Sequence, residues 1–74
     1  MNIGENIKKE RLQKKLSQSS VANILGVSQD AVSLWELNKR TPTIPDLLKL
    51  ANLFGISLEE LLGIEKDAKG KYVL

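Results

Sequence analysis

Gly26 stands between two short amphipathic segments, and it constrains this chain more than any other residue. Upstream, Ser17 precedes a segment from Gln18 to Leu25, where Val21, Ala22 and Leu25 share one helical face with Ile24 at its edge. Downstream, Ser28 precedes a second segment from Gln29 to about Leu37. Serine just before an apolar-periodic run signals an N-cap, because its hydroxyl accepts an otherwise unpaired N–H of the first turn. The residue just past a helix often needs a left-handed backbone, which glycine adopts without steric cost. Only Gly26-Val27-Ser28 separates the two segments, so the turn is tight and the helices are held at a fixed angle.

The flanking sequence supplies three more helical patterns. Ile3, Ile7, Leu12 and Leu16 recur at mostly four-residue spacing, predicting a first helix from about Ile3 to Leu16 with Asn2 as its cap. Its lysines read first as a solvated face. Thr41-Pro42-Thr43 breaks the chain, and Pro45 suits the first turn of a fourth helix. That helix carries Leu47, Leu48, Leu50, Ala51 and Phe54 and ends at Gly55. Ser57-Leu58-Glu59-Glu60 is a capping box, opening a short fifth helix with Leu58, Leu61 and Leu62 before Gly63. The expected fold is all-α, a compact five-helix bundle over residues 1–63. Residues 64–74 have no helical period and are expected to form a tail, ordered only against a partner.

Composition narrows the function classes. The 74 residues include neither cysteine nor histidine, so disulfides and the usual zinc frameworks are excluded and an aliphatic core must stabilise the fold. No apolar run approaches a membrane span, and the first residues lack a signal-peptide core, so a soluble cytoplasmic protein is expected. No glycine-rich phosphate loop or carboxylate pair suggests an enzyme, a cofactor or a small-molecule ligand. The net charge of +2 is too small to argue for nucleic acid by itself. Its distribution is more telling: Lys8, Lys9, Arg11, Lys14 and Lys15 lie in the first helix, Lys39 and Arg40 follow the third, and the acids gather toward the C-terminal end.

Two helices around such a turn form a helix-turn-helix, whose second helix can enter the major groove of DNA. With Trp35 taken as inward, Ser28, Ala31 and Val32 lie near it, and Gln29, Asp30, Ser33 and Leu37 face outward. Leu34 and Glu36 flank the two faces. The Gln29 amide matches adenine N6 and N7, and Ser33 is short enough for a phosphate or a base edge. Asp30 suits only a donor such as cytosine N4, while Leu34 and Leu37 offer contacts to a thymine methyl group. Glu36 reads as an ion-pair partner for Arg11 or Arg40, and Trp35 as core.

These residues resemble the lambda-repressor/Cro type of helix-turn-helix regulators, the XRE family. The likeness lies in IGENIKKERLQKKLSQ, the A-x-x-L-G-V-S turn from Ala22 to Ser28, the Trp35-Glu36 pair, and NKRTPTIPDLLKLANLFGISLEELL. It spans about Ile3 to Leu62. The resemblance implies five helices with the third as recognition helix. It also implies that Gln18, Lys39 and Arg40 hold the DNA backbone, with Gln29, Asp30 and Leu34 at base-reading positions and Ser33 at a base or a phosphate. Two features depart from the family pattern. Leu37-Asn38 replaces a common glycine, and asparagine is the best substitute for a left-handed residue. Asp30 and Leu34 stand where polar or basic side chains are more usual.

The function expected is that of a sequence-specific DNA-binding regulator, in the sense of a repressor, acting as a homodimer on a palindromic operator. One helix reads few base pairs, and two half-sites about 34 Å apart multiply the affinity. Ile56, Leu58, Leu62 and Ile64 either form the dimer surface or close the monomer core. The alternative is a protein-interaction module, such as an antitoxin or anti-repressor, in which Leu34 and Leu37 dock a protein and DNA binding is secondary.

Overall fold

In a computed structural model describing residues 2–73, five polar side chains start five helices. Asn2, Ser17, Ser28, Thr43 and Ser57 accept first-turn N–H groups of α1 (Ile3–Gln13), α2 (Gln18–Leu25), α3 (Gln29–Glu36), α4 (Ile44–Phe54) and α5 (Leu58–Leu62), respectively. Pro45 lies in the first turn of α4, where its missing N–H leaves no carbonyl unpaired.

The five helices also end alike. Lys15, Gly26, Asn38, Gly55 and Gly63 all have positive φ, between 57° and 75°. The following N–H then reaches the carbonyl five residues back: Leu16 to Arg11, Val27 to Ala22, Lys39 to Leu34, Ile56 to Ala51 and Ile64 to Glu59. Asn38 thus takes the left-handed place expected of an asparagine substituting for glycine, with φ 58°.

Lys15 accounts for a difference from the sequence reading. Helix α1 stops at Gln13 instead of running to Leu16, because Lys15 turns the chain with φ 57°. Arg11 holds that turn by donating from Nη1 to the Leu16 carbonyl at 2.9 Å. Leu12, expected on the buried stripe, is 55% exposed, and Arg11 continues the inward row begun by Ile3 and Ile7. Leu48, expected in the apolar face of α4, is likewise exposed.

The core is one cluster around Ile7, Val21, Leu25, Val32, Trp35, Leu50, Phe54 and Leu61. Ile56, Leu58 and Leu62 pack on it from the side and are half-buried. Among the described residues, no buried side-chain nitrogen or oxygen lacks a hydrogen-bond partner. No described helix is long and apolar enough to cross a membrane.

The segment expected to be an unstructured tail forms a small antiparallel hairpin instead. Strand β1 (Glu65–Lys66) pairs with β2 (Tyr72–Val73), Glu65 opposite Val73 and Lys66 opposite Tyr72. Local polar chemistry shapes it. Asp67 Oδ1 accepts from the N–H groups of Lys69 and Lys71, and the Tyr72 hydroxyl donates to Glu59 Oε1 at 3.0 Å. The Lys66 ammonium lies 5.1 Å from the centre of the Tyr72 ring.

Candidate nucleic-acid interface

Helix α3 is anchored along its inner side. Ala31, Val32 and Trp35 are buried, and Glu36 joins them instead of flanking the helix. Its carboxylate is satisfied three ways. Arg11 donates from Nε to Oε2 at 2.6 Å and from Nη2 to Oε1 at 3.0 Å, and Gln18 donates from Nε2 to Oε1 at 3.1 Å. Of the two cations foreseen for Glu36, the structure pairs it with Arg11. The hydrogen bond to Glu36 and its negative charge raise the Arg11 pKa, while burial acts the other way. The guanidinium stays charged, and a buried two-point pair fixes direction as well as distance.

A second clamp holds the last turn of α3. The Gly4 N–H donates to Asn38 Oδ1 at 3.0 Å, and Asn38 Nδ2 donates to Asn2 Oδ1 at 3.2 Å. A side chain on Gly4 would collide, since its Cβ would lie 2.5 Å from the Trp35 carbonyl oxygen and 2.7 Å from that of Glu36. The start of α1 therefore sits directly against the carbonyl end of α3, and only glycine allows that approach. No local sequence signal marks Gly4, because the contact spans 34 positions along the chain.

The outer face of α3 carries the candidate reading residues. Gln29 and Asp30 are exposed in its first turn, Ser33 and Leu34 are half-buried on its flank, and Leu37 is 60% exposed just past its end. Lys39 and Arg40 follow the Asn38 turn, both exposed, and both backbone N–H groups point to the Leu34 carbonyl, at 2.9 Å and 3.3 Å. Two exposed cations are thus tied by their backbone to the helix that bears the polar row. Gln18 is placed differently from the rest. It opens α2, is half-buried, and engages Glu36 through its amide. Its neighbour Ser19 makes a second bridge between α2 and α3, donating from Oγ to Gln29 Oε1 at 2.9 Å. Periodicity along one helix carries no sign of that bond, which depends on the angle between α2 and α3.

A helix-turn-helix family model matches residues 7–61, covering all of α2 and α3 and most of the scaffold around them. The chain belongs to the XRE-type helix-turn-helix family. Within the family it is similar to the uncharacterized HTH-type transcriptional regulator YqaE of Bacillus subtilis, with 40% identity over 90% of this chain and 58% of YqaE. Among solved structures it resembles the P22 c2 repressor protein in complex with a synthetic operator (TM-score 0.77, 31% identity, 82% of this chain and 92% of that one). It also resembles SinR, the master regulator for biofilm formation, in complex with DNA (TM-score 0.74, 36% identity, 81% and 97%). The chain spans little more than half the length of the curated relatives it matches.

Proposed function

We propose that this chain is a sequence-specific DNA-binding transcriptional regulator, of the repressor kind, that places α3 in the major groove. The carrying observation is the juxtaposition of the outward polar row on α3 with the exposed cations Lys39 and Arg40 just past its end, the helix being held by Arg11 and Asn38. In this reading Gln29, Asp30, Ser33 and Leu34 face base edges, and Lys39 and Arg40 hold phosphates. Gln18 meets the backbone through the first-turn N–H groups of α2, its side-chain amide being engaged with Glu36. Asp30 favours a cytosine N4 donor, and Leu34 a thymine methyl group.

The protein acts as a homodimer on a palindromic site in the cytoplasm, each protomer reading one half-site. The complexes of the P22 c2 repressor with operator and of SinR with DNA support this reading over a protein-docking module. Selection of bound duplexes from a random pool tests it. The expected product is an inverted repeat with half-site centres about one helical turn apart. A pool that stays random after repeated selection overturns sequence-specific recognition.

A further inference from the structure

We propose that Ser19 is a positioning residue that holds the Gln29 amide ready for its base, and so sharpens base preference under the first turn of α3; this rests on the reading of Gln29 as a base contact. Ser19 and Gln29 lie ten positions apart on different helices, joined by the 2.9 Å hydrogen bond from Oγ to Oε1. Both are exposed, so water competes freely for them, and Gln29 without a partner would sample many rotamers.

The chemistry left over fits one partner class. The bond to Ser19 uses one lone pair of Oε1, leaving the second lone pair and both Nε2 hydrogens unused. One acceptor and one donor side by side are what the N6 and N7 edge of adenine requires. Holding them in place moves the ordering cost of a flexible side chain from DNA binding to folding. The benefit falls only on duplexes where Gln29 makes its base contact, so it appears as discrimination and not as general affinity.

The test uses the full chain and a duplex that it selects from a random pool, with every base substituted in turn at the position where Gln29→Ala erases a preference. Ser19→Ala is expected to reduce the preference at that position about threefold to tenfold. Binding to an unselected duplex, its salt dependence and the melting temperature stay unchanged, because alanine suits the helix. Ser19→Thr, which keeps the hydroxyl, restores the preference. Full preference in Ser19→Ala overturns the positioning role, as does an equal loss on selected and unselected duplexes. If Gln29→Ala erases no preference at any position, both the base contact of Gln29 and the role of Ser19 are overturned. If it erases one that Ser19→Ala leaves intact, only the role of Ser19 is.

Discussion

Arg11 in α1 and Glu36 at the end of α3 form a buried two-point ion pair, Nε to Oε2 at 2.6 Å and Nη2 to Oε1 at 3.0 Å. The same guanidinium also holds the Leu16 carbonyl, and the same carboxylate also takes the Gln18 amide. One pair therefore joins the first helix, the turn after it, the start of α2 and the end of α3. Its net contribution to stability is small when desolvation is counted, but its halves are costly to separate. Its benefit lies in orientation, since the carboxylate accepts only where α3 sits at one angle to α1.

Arg11→Met leaves the Glu36 carboxylate buried with Gln18 as its remaining side-chain donor. The expected loss is about 3–5 kcal/mol, seen in urea or thermal unfolding as a large fraction of the stability of so small a domain. Arg11→Met combined with Glu36→Leu should recover most of that loss, because no lone charge remains buried. A double variant as unstable as the single one would show that the pair itself, and not the orphaned charge, carries the energy.

Gly4→Ala tests the clamp at the other end of α3. Its Cβ would meet the Trp35 and Glu36 carbonyl oxygens and Asn38 Oδ1 at 2.5–2.7 Å. The backbone atoms among them cannot swing aside, so α1 must shift, with a cost of about 1–3 kcal/mol. Ala at Gly26 is expected to cost about 1–2 kcal/mol for a different reason, its positive φ of 75° in open space. Crystal structures of the two variants should separate them: a displaced α1 for Gly4→Ala, and unchanged helix positions for Gly26→Ala.

What was legible follows from how local each signal is. Ser17, Gly26, Ser28, Gly55, Ser57 and Gly63 act on backbone groups within a few residues, and each caps or ends the helix that the sequence implies. Trp35 is buried as its face required. The end of α1 was not legible, because a lysine takes the left-handed position and the Arg11 side chain secures it from a distance. Leu12 and Arg11 exchange their expected places because the sequence left Glu36 a choice between Arg11 and Arg40, and only the packing of α1 on α3, 25 positions apart, buries the pair. The hairpin leaves no periodic signal in the sequence, because its strands are two residues long and its order comes from Asp67 and Tyr72. In the candidate site, the faces of α3 were legible and the crossings to Ser19 and Gly4 were not.

The hairpin contact has its own pH dependence. The Glu59 carboxyl is held below its ordinary value of 4.5, chiefly by its own backbone N–H and then by the Tyr72 hydroxyl, with smaller help from Ser57 and Lys66. A lowered carboxylate pKa means that its contribution is complete above the ordinary value and is lost as pH falls through the folded one. The Tyr72 ring resonances should therefore move toward their unstructured positions only under acid, with a midpoint below 4.5. Glu59→Gln should remove that transition and leave the helical core unaffected. A transition retained in Glu59→Gln would assign it to another carboxylate.

Phosphate neutralisation beside a base-reading helix is the central claim, and the salt dependence of duplex affinity measures it most directly. Fluorescence anisotropy with a selected duplex should give log K falling linearly with log salt. Arg40→Ala should weaken selected and unselected duplexes alike and lower that slope by about one. Gln29→Ala should leave the slope unchanged and cost about 1–3 kcal/mol on the selected duplex alone. Wild-type protein that binds no duplex even at low salt, or an Arg40→Ala slope equal to that of the wild type, would contradict the account.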